Sequence, residues 1–111
     1  MKKSAGSSME LLRISVETEP GRVVCRISGD LDAASAARLR AVLAEQLDEG
    51  SDAVVDLSGL GFIDSSGLGV LVGALKRFDA AGRQLSLRAP TPSLQRVLEM
   101  TGLAAAFVVE R

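Results

Sequence analysis

The sequence has no histidine, tryptophan or tyrosine, and it has only one cysteine and three phenylalanines among 111 residues. Without histidine the chain cannot build a Ser-His-Asp catalytic triad, and potential metal ligands are reduced to carboxylates and one thiol. A single cysteine excludes an internal disulfide. The shortage of aromatic side chains argues against a surface that stacks nucleic acid bases.

The charge is nearly balanced, with thirteen basic and fourteen acidic side chains and a net charge of -1. No overall field therefore draws the protein to nucleic acid or to an anionic membrane surface. No apolar run approaches the roughly 18 residues of a membrane-spanning helix. The lysines after Met1 resemble the start of a signal peptide, but Ser4 to Ser8 provides no apolar region behind them. We expect a cytoplasmic protein that neither binds nucleic acid nor inserts into a membrane.

Length and a hydrophobic content of 47% predict one domain with a single core. Residues 1–8 are small and polar and are predicted to form a flexible tail, with the domain covering residues 9–111. Two strands follow the tail, because apolar and polar residues alternate on either side of Pro20-Gly21, the central pair expected of a type II turn. They should form an antiparallel hairpin. The alternating apolar positions are Leu12, Ile14 and Val16, then Val23, Cys25 and Ile27.

From there the pattern alternates between helix and strand, which requires crossover connections and a largely parallel remainder of the sheet. Asp32 or Ser35 could cap the first helix, Thr91-Pro92 should begin the last one, and Phe107 to Val109 suggests an edge strand. The predicted fold class is therefore α/β, with a mixed, mostly parallel sheet, an N-terminal antiparallel hairpin and three or more helices. The apolar stripes of the first and last helices are Leu39, Val42, Leu43 and Leu47, then Leu94, Val97 and Leu98.

The chain is organised around residues 53–80. A mostly apolar run from Ala53 to Leu57 predicts a strand buried on both faces that stops at Ser58. Asp64, Ser65 or Ser66 could cap the helix that follows. The serines lie where a helix presents free N–H groups and the positive end of its dipole, so a phosphate would be tolerated there.

The same helix has an unusual outer face. Its predicted inward stripe is Leu68, Leu71, Leu75 and Phe78, which leaves Gly69, Val70, Gly73, Lys76 and Arg77 on the side facing solvent. Each glycine in a helix interior costs about 1 kcal/mol relative to alanine. The bare backbone either makes room for a neighbouring element of the same domain or lets a partner approach closely, and the pattern does not choose between the two.

Three acidic residues, Asp30, Asp32 and Asp64, follow predicted strands and could meet at one end of the sheet. They could form a weak magnesium site, but helix caps and solvated loop acids are the favoured interpretation. Lys76 lies about three helical turns from Ser65, too far to activate it. The glycine spacing fits neither a phosphate-binding loop nor a dinucleotide fingerprint. No catalytic residue, metal or cofactor is therefore predicted.

Three motifs resemble the signatures of the STAS domain family, and specifically of its bacterial anti-sigma factor antagonists. They are Val55-Asp56-Leu57-Ser58, the run Phe62-Ile63-Asp64-Ser65-Ser66-Gly67-Leu68-Gly69, and Gly29-Asp30-Leu31-Asp32. The resemblance implies that the protein is not an enzyme but binds an anti-sigma factor, itself a serine kinase with an ATP-binding fold, and so frees a sigma factor. It implies phosphorylation at Ser65, which ends the interaction until a phosphatase reverses it, and places Asp32 close to Ser65.

The predicted partner-binding surface combines the acidic loop after the second strand with the start and outer side of the central helix. It consists of Asp30, Asp32, Asp64, Ser66, Gly67, Gly69, Val70, Gly73, Lys76 and Arg77. Two alternatives remain open. One is an unphosphorylated STAS subunit of a lipid-transport or signalling scaffold complex, and the other is a nucleotide-binding domain that uses the same acidic pocket.

Overall fold

A computed structural model describes residues 11–110, which form a five-stranded sheet and three α-helices. The predicted flexible tail, residues 1–8, lies outside the described residues. The elements in chain order are β1 (Arg13–Glu19), β2 (Arg22–Leu31), α1 (Ala36–Asp48), β3 (Asp52–Ile63), α2 (Ser65–Ala80), β4 (Leu85–Arg88), α3 (Pro92–Met100), a short 3₁₀ helix (Leu103–Ala105) and β5 (Val108–Glu110).

The predicted hairpin is confirmed, because β1 and β2 pair antiparallel on either side of Pro20 and Gly21. Gly21 has a φ of 81°, the left-handed value that the second central residue of a type II turn requires. The remaining neighbours, β2 with β3, β3 with β4 and β4 with β5, pair parallel. The mixed, mostly parallel sheet expected from the sequence is therefore confirmed, and its strands follow one another in chain order.

The core lies between one face of the sheet and the helices. Because each parallel crossover steps in the same direction and such crossovers are right-handed, their helices fall on the same side of the sheet. The cluster combines strand residues with one stripe from each helix, including Cys25, Ile27, Leu39, Leu43, Val55, Leu71, Phe78 and Leu98. The prediction that Val97 faces inward is wrong, since it is 40% exposed and only Leu94 and Leu98 of that stripe are buried.

The opposite face carries a closed set of ion pairs, here called the ion-pair ring: Glu19, Arg22, Arg88 and Glu110. Arg88 contacts Glu19 at 3.0 Å and Glu110 at 3.1 Å, and Arg22 contacts the same two carboxylates. Val54 of β3 alternates with the core residues and lies on this face, yet it is fully buried. β3 is therefore buried on both faces as predicted, with long charged side chains in place of helices on the second face.

β3 is longer than the sequence predicted. The expectation that the strand stops at Ser58 is wrong, because it continues to Ile63 and stays paired with β2 through two register shifts. At the first shift a side chain on Gly59 would come within 2.9 Å of the Cβ of Ser28. Glycine therefore permits the close approach that carries β3 on towards α2.

Candidate functional site

Two loops are joined at the carboxyl ends of β2 and β3. The backbone N–H of Asp64 donates a hydrogen bond to the carbonyl oxygen of Leu31, the last residue of β2, at 3.2 Å. Asp32 directly follows Leu31, and Ser65 directly follows Asp64. This bond therefore brings Asp32 and Ser65 to the same end of the sheet, as the sequence suggested.

Of the three residues that could cap α2, Asp64 is the N-cap. Its carboxylate accepts a hydrogen bond from the backbone N–H of Gly67 at 3.1 Å. Ser65 and Ser66 consequently occupy the first helical turn, and both are exposed. Neither serine is the capping residue, so capping leaves the Ser65 hydroxyl free to react at the helix N-terminus.

Gly67 holds the start of α2 against the end of β2. A Cβ at this position would lie 2.6 Å from Cγ of Leu31, 2.8 Å from its carbonyl oxygen and 3.0 Å from Cγ1 of Ile63. Only glycine fits this contact without displacing backbone atoms. The prediction that Gly67 is part of an accessible partner surface is wrong, because it is buried beneath the first turn. Its role is to set how closely α2 approaches the loop after β2.

Asp32 organises the loop that leads into α1. Its carboxylate accepts hydrogen bonds from the backbone N–H groups of Ala34 and Ser35, at 3.0 and 3.2 Å, and from the Ser35 hydroxyl at 3.1 Å. Ser35 occupies the N-cap position of α1 but makes no side-chain capping bond. The sequence suggests Asp32 or Ser35 as the cap of α1, and the structure uses the two side chains together to hold the loop at the end of the sheet where Ser65 lies.

Asp56, part of the first motif, is a structural residue. Its carboxylate accepts hydrogen bonds from the N–H and hydroxyl of Ser58, at 2.9 and 2.7 Å, and pairs with Arg26. Burial raises the pKa of Asp56, but these bonds and the Arg26 charge outweigh burial, so the net pKa is lower than usual. Asp56 therefore fixes Ser58 where β3 shifts register.

The acidic residues at this end do not assemble a metal-binding group. Within residues 11–110 no three histidine, cysteine, aspartate or glutamate side chains come close enough together to hold an ion. Asp32 instead accepts hydrogen bonds from its own loop, and Asp64 accepts one from the first turn of α2. This arrangement supports the interpretation of Asp64 as a helix cap and of Asp32 as a loop residue.

The outer face of α2 differs from the helical wheel at one position. Val70 is only 3% exposed and packs in the core, so the prediction that it faces solvent is wrong. The helix is rotated so that Val70 and Ala74 share the inward face with Leu71. Lys76 and Arg77 are exposed, as predicted.

The glycines on that outer face are not required by the fold of residues 11–110. A Cβ on Gly69 would meet nothing within 4 Å, and one on Gly73 would meet only the flexible end of Arg77, at 3.4 Å. The sequence left two explanations open. The first, that the glycines make room for a neighbouring element of the same domain, is not supported by the contacts of residues 11–110. The alternative, close approach by another molecule, fits the open space.

The fold and the site together define a small α/β domain that presents an exposed serine at the tip of a helix, beside an ordered acidic loop. The chain belongs to the STAS domain family, whose profile matches residues 13–111. No helix within residues 11–110 has the length and apolar character needed to cross a membrane.

Similar proteins include several named anti-sigma factor antagonists. The chain is 33% identical to an anti-sigma F factor antagonist of Paenibacillus polymyxa, over 83% of this chain and 80% of the relative. A crystal structure of an anti-sigma factor antagonist from Mycobacterium paratuberculosis superposes with a TM-score of 0.81, at 25% identity, over 90% of this chain and 86% of that one. The Bacillus cell fate determinant SpoIIAA in its phosphorylated form superposes with a TM-score of 0.72, at 24% identity, over 89% and 92%.

Proposed function

We propose that this protein is an anti-sigma factor antagonist that works by partner switching in the cytoplasm. In this proposal it binds an anti-sigma factor, which is also a serine kinase, and thereby frees a sigma factor. Membership of the STAS family and similarity to a named anti-sigma F factor antagonist over most of both chains support the assignment. The protein acts by binding and has no catalytic role of its own.

The observation that carries the proposal is the position of Ser65. It is exposed in the first turn of α2, and capping by Asp64 leaves its hydroxyl available to a kinase. The helix N-terminus stabilises a phosphate at this place, so the phosphorylated domain should remain folded. A structure of a phosphorylated relative with the same fold is consistent with such a switch.

The switch works by electrostatic repulsion. Phosphorylation adds about 1.5 to 2 negative charges at Ser65. One unit charge facing a carboxylate at about 4 Å costs about 1 to 4 kcal/mol near a protein surface. A partner that places a carboxylate near Ser65 would therefore bind the phosphorylated domain about tenfold to several hundredfold more weakly. Binding would recover once a phosphatase removes the phosphoryl group.

The proposed partner surface lies around Ser65 and along the outer side of α2. It omits Gly67 and Val70, which are buried. Gly69 and Gly73 allow close approach, Lys76 and Arg77 supply positive charge, and the acidic loop borders the serine. The surface consists of Asp30, Asp32, Asp64, Ser66, Gly69, Gly73, Lys76 and Arg77, together with Ser65 itself.

The binding test compares the affinity of the cognate anti-sigma kinase for wild type, Ser65→Ala and Ser65→Asp. We expect Ser65→Ala to bind within about twofold of wild type and Ser65→Asp to bind at least about tenfold more weakly, without a lower thermal midpoint. Ser51→Asp is the matched control, because Ser51 precedes β3 at the opposite end of the sheet. If Ser65→Asp binds as tightly as wild type, charge control at this position is wrong.

The phosphorylation test uses the same kinase with ATP and intact-mass spectrometry. Wild type should gain one phosphoryl group and Ser65→Ala none. Equal incorporation in both would assign the acceptor to another residue, with Ser66 the neighbouring candidate. No incorporation in wild type would favour an unphosphorylated scaffold subunit instead.

A further inference from the structure

The second half of β3 has an open edge. β4 pairs only with residues 53–56 of β3 and ends at Arg88. Ala89 then has a φ of 52°, which is strained for a residue with a side chain, and Pro90 has no N–H to donate. β4 therefore turns away from β3. Beyond Asp56, β3 pairs only with β2 among the described strands, and no described strand pairs with its other edge.

A groove lies along this free edge. Its walls are residues 60–63 of β3 on one side and, near the start of α3, Thr91, Ser93, Leu94 and Val97 on the other, and it encloses a cavity of about 270 Å³. None of these lining residues carries an ionisable side chain. Phe62 and Val97 are 51% and 40% exposed, so the groove is apolar and open to solvent. We call it the β3–α3 groove.

The shape of the groove selects an extended peptide segment. A strand edge on one wall supplies alternating backbone donors and acceptors, and an apolar helix on the other wall supplies contacts for side chains. A second copy of the protein does not fit into the groove through its own groove, because on each copy this feature is a concave surface between β3 and α3. Two concave surfaces cannot insert into one another. The occupant must project as a single strand.

The chemistry of the groove and its position further narrow the range of possible occupants. A charged segment would lose hydration against the neutral lining without gaining an ionic partner. The N-terminal residues of this chain carry Lys2, Lys3 and Glu10, and Ser4 to Ser8 between them are small and mostly polar, which makes them a poor match for an apolar groove. The groove is also continuous with the proposed partner surface, since Ile63 lines it and Ser65 follows two residues later.

We propose that an uncharged, extended segment of the anti-sigma partner adds to the free edge of β3 and fills the β3–α3 groove. This inference rests on the proposed function, because it assigns the segment to the protein that the Ser65 surface binds. The strand addition would anchor the partner independently of the Ser65 charge. Phosphorylation would then act on one part of a larger interface.

The test measures the affinity of the cognate anti-sigma kinase for Val97→Asp and for Met100→Asp. Both residues are exposed on α3, at 40% and 78%, but only Val97 lines the groove. We expect Val97→Asp to weaken binding by about tenfold or more, because the complex would bury an unpaired charge. Met100→Asp should stay within about twofold of wild type. Circular dichroism checks that both variants are folded.

Hydrogen–deuterium exchange of the wild-type complex provides the second readout. Strand addition should slow exchange by about tenfold or more for those amides in residues 57–63 that are not already bonded to β2 or to the Asp56 carboxylate, since the free edge becomes hydrogen-bonded. If Val97→Asp binds normally and these amides exchange as in the free protein while Ser65→Asp still weakens binding, the groove inference is overturned and the proposed function stands. If Ser65→Asp binds normally while Val97→Asp does not, the groove inference stands and charge control fails. If the kinase does not bind wild type, both are overturned.

Discussion

At the scale of single residues, the glycines of α2 have opposite roles. Gly67 is buried where any Cβ would strike the backbone of Leu31, so the fold requires it. Gly69 lies two residues further along the helix and has open space around it, so the fold does not require it. The motif that contains both glycines therefore combines a structural constraint with a surface property, and sequence alone does not separate them.

The glycine pair gives a direct prediction for stability. Gly67→Ala should lower the free energy of unfolding by about 1 to 3 kcal/mol, because the methyl group overlaps atoms of β2 that cannot move freely. Gly69→Ala should raise it by up to about 1 kcal/mol, since alanine is the better helix former and meets nothing. Urea denaturation of both variants measures the difference. Equal effects of the two substitutions would refute the assigned roles.

Gly69→Ala also separates stability from binding. A methyl group at a site of close approach should weaken binding of the anti-sigma kinase even though the free domain becomes more stable. Stability and affinity would then change in opposite directions, which a general loss of folding cannot produce. Unchanged affinity would remove Gly69 from the proposed partner surface.

At the scale of elements, the sequence predicted what short-range patterns determine. The hairpin turn at Pro20-Gly21, the alternation of helices and strands and the cap at Thr91 are all recorded in neighbouring residues, and all are present. The extension of β3 was not predictable in this way. It depends on pairing with β2 through two register shifts, and its glycines look like loop residues when they are read without the partner strand.

The candidate site shows the same division. The motif around Asp64 and Ser65 identified the start of α2, and Ser65 is exposed in the structure. The sequence did not predict the rotation of α2 that buries Val70. A helical wheel contains no information on how wide a face of the helix the sheet and α1 cover together. The groove beside β3 was also missed, since it arises where β4 ends early, at Arg88 before Ala89.

The ion-pair ring is the element-scale feature with a predictable pH dependence. Hydrogen bonds from Arg88 and Arg22 outweigh desolvation and lower the pKa of Glu19, and bonds from Arg22 and Arg88 do the same for Glu110. A lowered carboxyl pKa stabilises the fold above the unfolded value of about 4.3, and this contribution disappears as the pH falls through the folded value.

We therefore expect the double variant Glu19→Gln/Glu110→Gln to be less stable than wild type at pH 7, with a difference that shrinks between about pH 5 and pH 3. High salt should also reduce the difference, because the pairs are partly exposed and screened. Glu45→Gln, on α1 and outside the ring, is the control. Urea denaturation across this pH range measures the difference in the free energy of unfolding between the double variant and wild type. A difference that does not change with pH would show that the ring does not act through charge.

At the scale of the whole molecule, the sheet separates two surfaces. Helices cover one face, and the ion-pair ring lies on the other. Ser65 and the β3–α3 groove lie at the end of the sheet where β2 and β3 extend beyond the end of β4. A partner can therefore bind at this end without disturbing the core, which is what a reversible switch requires.

Cys25 reports on the integrity of that core, because it is the only cysteine and is 0% exposed within β2. Burial raises the pKa of its thiol to about 11, so the folded protein holds it protonated and unreactive at neutral pH. Labelling by a thiol reagent should require opening of the sheet, and its rate should rise with urea in parallel with global unfolding. The Gly67→Ala variant should react faster than wild type, by the same factor by which the substitution raises its unfolding equilibrium constant. The Ser65→Asp variant should react at the wild-type rate. A rate independent of urea would mean that local motion exposes Cys25, and that the central strands are less firmly held than their burial indicates.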